Sequence, residues 1–362
     1  MATFPMTMKV IPNNPEFEAL LDLSARVGAN PAWVQGAGGN TSIKEENTLW
    51  IKASGLWLMN ARHQDIMVPV ALDSLLGALE RGDPLAEKAQ HFVRESLNPA
   101  GLRPSIETTV HALMPHKIVI HVHCVETIAL AVAQQAERLV RDRLAGFRYA
   151  FIPYARPGLP LARAIAARLD GGTDVLVLGN HGLVVAADCV AGAEQLLEQV
   201  TSTLRTSPRH APDADLAGLE RLALDSGYQL PNDPALHGIG TDPSSCRCAA
   251  EGSLYPDHVI FLGSGSLIAL PGETARDVEQ AVGSPGRTTC PLLVFPGKGV
   301  LVARNASAGA LAMARCLADV TSRIPPGTGL RALTADEHAE LLGWDAEKYR
   351  QTLNQGGQAV SP

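Results

Sequence analysis

Residues 117–129, KIVIHVHCVETIA, constrain this chain more than any other stretch. After Lys117, three β-branched residues run into two histidines separated by one valine, and 117–123 reads as a buried strand. Side chains two apart in a strand share a face, so His121 and His123 point one way and Val122 the other. The H-x-H pattern alone leaves two readings open. Either the rings are partly buried and bonded to backbone, or they begin a metal site.

The strand sits in an alternating context. Asn14 suits a helix cap, Pro15 the first helical position, and Phe17, Leu20, Leu21 and Leu23 an apolar helix face. A Gly-rich turn and hairpin-like strands follow in VQGAGGNTSIKEENTLWIKASG. Residues 84–97, 105–114, 124–134 and 159–169 read as helices, and 174–179 and 182–187 as strands around GNHG. The expected architecture is α/β, a layered αβα domain around a central mostly antiparallel or mixed sheet.

RTSPRHAPDADL (205–216) is polar and proline-containing, as a linker should be, so the chain divides into 1–215 and a smaller α/β unit over 216–362. In the second unit, 228–257 reads as loop, with a strand near 258–263, a helix from about 273, strands 291–296 and 299–303, and a helix over 306–321. TADE at Thr334–Glu337 is a capping-box pattern opening a last helical pair, and NQGGQAVSP reads as a frayed end. LVLGNHGLVVAADCVAGA (176–193) aligns with LVFPGKGVLVARNASAGA (293–310), with Lys298 where His181 stands. The second unit is thus either a degenerate echo of the first or a chance likeness of two strand–turn–strand–helix segments.

Length and charge narrow the function classes. At 362 residues two domains are expected, each large enough for its own core, and a net charge of −7 gives no support for nucleic acid or an anionic membrane as partner. No apolar run reaches the roughly 18 residues of a membrane span. MATFPMTMKVIPNNPEF lacks the charged-then-apolar order of a signal peptide, and six cysteines in so long a chain read as reduced thiols. The expected compartment is the cytoplasm.

A metal site needs a third ligand, and His181, on a glycine-flanked turn, is the best candidate. His111 and His116 read as structural or surface, with a place behind the metal ligands as the alternative, and Cys246, Cys248 and His258 lack the usual ligand spacing. Ser105 fits a helix N-cap, which puts Glu107 in the first turn. There it either complements the helix dipole or, beside a divalent metal, accepts a proton in carbon chemistry. GAGGNTS and IKASG look like anion-binding turns, with Asn40, Thr41, Ser54 and Ser105 as side-chain donors and Lys52 either as an added cation or pointing to solvent from its strand.

Taken in order, the Gly-Asn turn, the Ser-Gly turn, S-x-E, H-x-H and N-H-G resemble the class II aldolase/adducin family, which includes fuculose- and rhamnulose-phosphate aldolases. The resemblance covers roughly residues 15–205. It implies a Zn²⁺ or other divalent metal on His121, His123 and His181, with Glu107 as catalytic acid/base. It implies a substrate or phosphate pocket of Gly39, Asn40, Ser54, Gly55 and Ser105, to which Lys52 adds charge. The implied function is a lyase that cleaves or forms a carbon–carbon bond in a small hydroxy-ketone or sugar phosphate through an enediolate. Epimerase, dehydratase or decarboxylase chemistry, or a non-catalytic binding or assembly role of the adducin type, stand as alternatives, and a homo-oligomer is expected. Where family aldolases often carry two serines before the glutamate, Ser105 is followed here by Ile106, which leaves the anion open between phosphate and carboxylate. Tyr149 and Tyr154 are the candidate proton donors within the chain.

Overall fold

The computed structural model describes residues 14–282 and 290–344. Its first sheet has seven strands: β1 Asn40–Glu45, β2 Thr48–Lys52, β3 Met67–Ala71, β4 Ile118–Val122, β5 Tyr149–Ile152, β6 Val175–Leu178 and β7 Gly182–Ala187. They lie in the order β3-β2-β1-β4-β7-β6-β5, antiparallel except for the parallel pair β5/β6, so the sheet is mixed.

β4 is central and buried along its whole length. Ile118, Ile120 and Val122 face one layer, packing with Phe17 and Leu20 of the helix Pro15–Gly28 and Leu197 and Val200 of Val190–Leu204. Val119 faces the other layer, among Val110 and Met114 beside the helix Thr108–Leu113 and Leu161 and Ile165 of Leu159–Ala166. Each such side chain removed from water contributes about 1.5–3 kcal/mol, which fixes β4 against a one-residue slip that would turn its apolar set over. Strand alternation puts His121 on the face of Val119. The imidazoles therefore meet the layer that begins with Glu107.

Asn14 caps the first helix as expected, accepting from the Phe17 N–H at 2.7 Å, with Pro15 at the first helical position. The Thr334/Glu337 capping box is formed and opens Ala335–Gly343. A second member of that helical pair and the NQGGQAVSP segment fall outside the described residues, as does most of the N-terminal stretch.

Four expectations need correction. Residues 84–97 form three short 3₁₀ turns, Pro84–Glu87, Ala89–Phe92 and Glu95–Leu97. There the chain gives up helical bonding to pair Val93 with Val70 and Arg94 N–H with the Pro69 carbonyl along the edge of β3. The helix expected over 105–114 starts only at Thr108, because Pro104 and Ser105 remain paired with Ala53 and Lys52. Glu107 is consequently the residue before the helix, at φ −101° and ψ 16°. The strand expected near 258–263 is the helix Pro256–Leu262, with proline at its start and Asp257 in its first turn. Its unbroken apolar run reflects burial nearly all round, which sequence periodicity cannot tell from a buried strand. Residues 228–257, expected as loop, hold the helices Gly238–Thr241 and Pro243–Ala250 and a two-residue strand.

That strand, β8 Tyr228–Gln229, belongs to a second sheet with β9 Leu267–Ile268, β10 Leu292–Phe295 and β11 Gly299–Ala303, in the order β8-β11-β10-β9. β8/β11 and β11/β10 are antiparallel and β10/β9 parallel, the order and senses of β4-β7-β6-β5. The registers also correspond. Phe295 pairs with Gly299 as Leu178 pairs with Gly182, and Val302 with Gln229 as Val185 with Ile120. Counting on from these pairs, Leu230, Asn232 and Lys298 occupy the places of His121, His123 and His181. The echo extends through half of the first sheet, and its copy lacks all three imidazoles. Lys298 instead lies half-exposed, paired with Asp215 at 3.2 Å.

Candidate metal centre and its cleft

The three histidines arrive from different backbone segments. His121 lies in β4, His123 just beyond its end, and His181 on the turn between β6 and β7. With Glu107 they form a buried group whose ligand atoms all lie within 4.8 Å of one another. Glu107 Oε2 is 3.3 Å from His121 Nε2, and Oε1 is 3.3 Å from His181 Nε2.

Glycines let the backbone close around these rings. A Cβ on Gly38 would stand 2.8 Å from His123 Nδ1, and one on Gly39, at φ +61°, 2.9 Å from the His121 carbonyl. At Gly182 it would come within 2.4 Å of the Val122 carbonyl, between the two strand histidines. Gly182→Ala therefore has to push β7 from β4, and a loss of about 1–3 kcal/mol is expected by analogy with other overpacked sites. Thermal melting of the variant measures it, and an unchanged midpoint contradicts the close approach.

Partners set the protonation states. The Leu183 carbonyl, 3.0 Å from His121 Nδ1, can only accept, so Nδ1 carries the proton and Nε2 presents a lone pair. The Asp257 carboxylate lies against His123, its Oδ2 3.0 Å from Nδ1, a close contact without the alignment of a hydrogen bond. The two Nε2 atoms lie 3.1 Å apart, where His121 Nε2 can accept from His123 or both can meet one metal. Burial lowers the His181 imidazole to about 3 and moves His121 in the same direction, so these rings are neutral at neutral pH. Burial works against the Glu107 carboxylate, positive charge on His121, His181 or His123 and the Asn40 N–H bond work for it, and the balance lies below the ordinary carboxyl range. A carboxylate among imidazole nitrogens is a donor set that fits a divalent metal.

Behind Glu107 runs a buried polar chain. Asn40 Nδ2 donates to Glu107 Oε2 at 2.8 Å and to Ser105 Oγ at 3.1 Å. Asn40 Oδ1 in turn accepts from His111 Nε2, which leaves His111 Nδ1 to accept from Ser42 Oγ at 2.7 Å. This sequence fixes which way the Asn40 amide points, and so fixes Glu107. His111, expected as structural, is the buried anchor of that chain. His116 is half-buried beyond the helix.

The cluster forms one wall of a narrow cleft with about 20 Å³ of free volume. Gly39, Asn40, Lys52, Ser54, Gly55 and Ser105 line it, as do Glu107, His123 and His181. Lys52 is buried rather than turned to solvent, its Nζ donating to the carbonyls of Ala37 at 2.7 Å and Gly39 at 3.0 Å. Ser54 Oγ is buried with no hydrogen-bond partner among the described residues, a donor held ready at the cleft wall. Tyr149 and Tyr154 are not among the lining residues, and Tyr154 lies under the Arg331 guanidinium instead. Cys246, Cys248 and His258 form no metal-binding group among the described residues. Sequence reasoning missed Asp257 and Pro256, which complete the cleft from the second unit. They stand in a stretch expected to lead into a strand, with no local signal tying them to His123.

The model of the Class II Aldolase and Adducin N-terminal domain matches residues 18–207. An L-fuculose phosphate aldolase of Methanococcus maripaludis is 26% identical over 176 residues, 46% of this chain and 84% of its own length. An uncharacterized oxidoreductase, YuxG, of Bacillus subtilis is 29% identical over 182 residues, and the chain spans only 26% of that relative's length. The solved N-terminal class II aldolase domain of a conserved protein from Thermoplasma acidophilum is 25% identical with a TM-score of 0.46, over 56% of this chain and 98% of that one.

Proposed function

The chain belongs to the class II aldolase and adducin N-terminal domain family, and from that premise we propose that it is a zinc-dependent lyase that cleaves or forms a carbon–carbon bond in a small hydroxy-ketone or sugar phosphate. The observation that carries this reading is the buried group of Glu107, His121, His123 and His181 at a cleft wall. His121, His123 and His181 would hold the metal, which when bound supplies a Lewis acid for the substrate's oxygens. Glu107 would move a proton at the carbon next to the broken bond. Its second oxygen pairs with Asn40, so the carboxylate is held in one orientation for that transfer. Pro256 and Asp257 cover one side of the cleft and limit the entry of water to a reactive carbanion.

In this reading residues 1–215 carry the chemistry and 216–362 the smaller unit that walls the cleft, the assembly is a homo-oligomer and the compartment the cytoplasm. Among the described residues no helix is long and apolar enough to cross a membrane. The test is turnover on a panel of ketose phosphates with the products identified. Aldehyde and a three-carbon ketone product are expected. An epimer, a dehydrated product or carbon dioxide would assign the same site to the alternative reactions, and no turnover on any substrate, with metal bound, would favour an adducin-type binding role.

The anion end of the substrate is assigned to Lys52, Ser54, Gly55 and Ser105. Lys52→Met is expected to raise KM for a phosphorylated substrate more than it lowers kcat, because a contact to a non-reacting group is largely uniform binding. The unphosphorylated analogue is the control. Equal losses on both substrates would mean that Lys52 only braces the Ala37 and Gly39 carbonyls.

A further inference from the structure

The residues matched by the family end at 207, yet one of the partners that orient the imidazoles comes from far beyond it. Asp257 opens the helix Pro256–Leu262 and is 3% exposed, with Oδ2 3.0 Å from His123 Nδ1. The contact lacks the alignment of a hydrogen bond, but a small turn of the ring brings Nδ1–H onto the carboxylate, which then fixes the tautomer and plane of the imidazole and raises the basicity of its other nitrogen. The surrounding contacts hold Asp257 in place. Asn180, next to His181 and at φ +54°, donates to the carbonyls of Leu254 at 2.9 Å and Arg331 at 2.6 Å. Arg331 returns a bond to Asn180 Oδ1 at 3.3 Å, and Leu333 N–H donates to the Ser253 carbonyl. Val125, Ile128 and Val132, which follow His123 along the chain, pack into the core of the second unit with Leu254, Tyr255 and Leu317. The second unit thus grips the backbone beside His123 and beside His181, and presents one carboxylate inward.

We propose that Asp257 is a positioning residue of the metal centre, supplied by the C-terminal unit, and that tight metal binding requires it. The inference rests on the metal reading above, because Asp257 acts on the metal only through His123. It also gives the degenerate second unit a role. Its sheet has no ligand set of its own, and the unit instead contributes the carboxylate that orients a ligand of the first sheet.

The experiment uses the full chain and compares wild type with Asp257→Ala and Asp257→Asn. Zinc affinity is read by competition with a chromophoric chelator, and the His123 ring by nitrogen-15 NMR of the metal-free protein. Affinity is expected to fall about 10–100-fold in both variants, the range seen when such outer partners of metal-bound histidines are removed. The His123 ring should leave the Nδ1–H tautomer while His121, held by Leu183, keeps its own. Asp257→Glu should recover part of the affinity. Thermal melting of the metal-free variants identifies one that fails to fold, in which case the milder asparagine variant decides. Unchanged affinity in a folded variant, or an unmoved His123 tautomer, overturns the proposal. A wild-type chain that binds no zinc at all overturns the metal reading instead, and this inference with it.

Discussion

Replacing Glu107 by glutamine is expected to lower turnover by a factor on the order of 10²–10⁴ while leaving the metal bound. The substitution keeps the side-chain volume and the hydrogen-bonding reach to Asn40 but removes the basicity. A position that only ligates would respond the other way, because an amide is a far weaker donor than a carboxylate and metal would be lost with activity. The geometry gives each oxygen a distinct neighbour, His121 beside Oε2 and His181 beside Oε1, so the carboxylate sits across the mouth formed by the rings. Asn40 Nδ2 can donate to the glutamine's amide oxygen as it does to Oε2, so the chain through His111 is kept. Measuring metal content and kcat on the same preparation separates lost basicity from lost metal. A variant that loses its metal makes Glu107 chiefly a ligand and moves the proton-transfer role elsewhere.

The second large effect is expected at the histidines. Each of His121→Ala, His123→Ala and His181→Ala should remove most of the bound divalent metal, because three protein ligands are the working minimum for a tight catalytic zinc site. His121 should be the most severe of the three. Its ring is buried against both of the others and is bonded to the Leu183 carbonyl across the β4/β7 pair. Elemental analysis of the purified variants checks the expectation, and full occupancy in any one of them withdraws that residue from the ligand set.

Much of this arrangement is legible in the chain because its causes are local. The β-branched run before His121 specifies a buried strand, the alternation of strand side chains puts His121 and His123 on one face, and the glycines around His181 announce a turn. The Asn14 and Thr334 caps are visible for the same reason, since each needs only three or four neighbouring residues. Features that depend on distant contacts escape such a reading. The 84–97 segment has helical composition, but pairing with the edge of β3 breaks it into short turns. The apolar VIFL run reads as a strand, and only its burial on nearly every side shows why a helix carries it. Glu107 stands out in the sequence by its motif, whereas its place just before the helix follows from the pairing of Pro104 and Ser105 with residues around Lys52. Asp257 has no local signature at all, because its role is defined by a ring held in a different sheet. The repeat shows in the sequence only as two aligned segments. Its true extent appears in strand order and register, which a sequence so diverged no longer displays.

The central claim is that carbon–carbon cleavage by this chain depends on one divalent metal held by His121, His123 and His181. The most direct measurement is the rate of ketose-phosphate cleavage by the full chain before chelation, after exhaustive chelation, and after one equivalent of zinc is returned. The account predicts cleavage in the first sample, its loss in the second and its recovery in the third at about one metal per chain. An undiminished rate in the metal-free protein would contradict it.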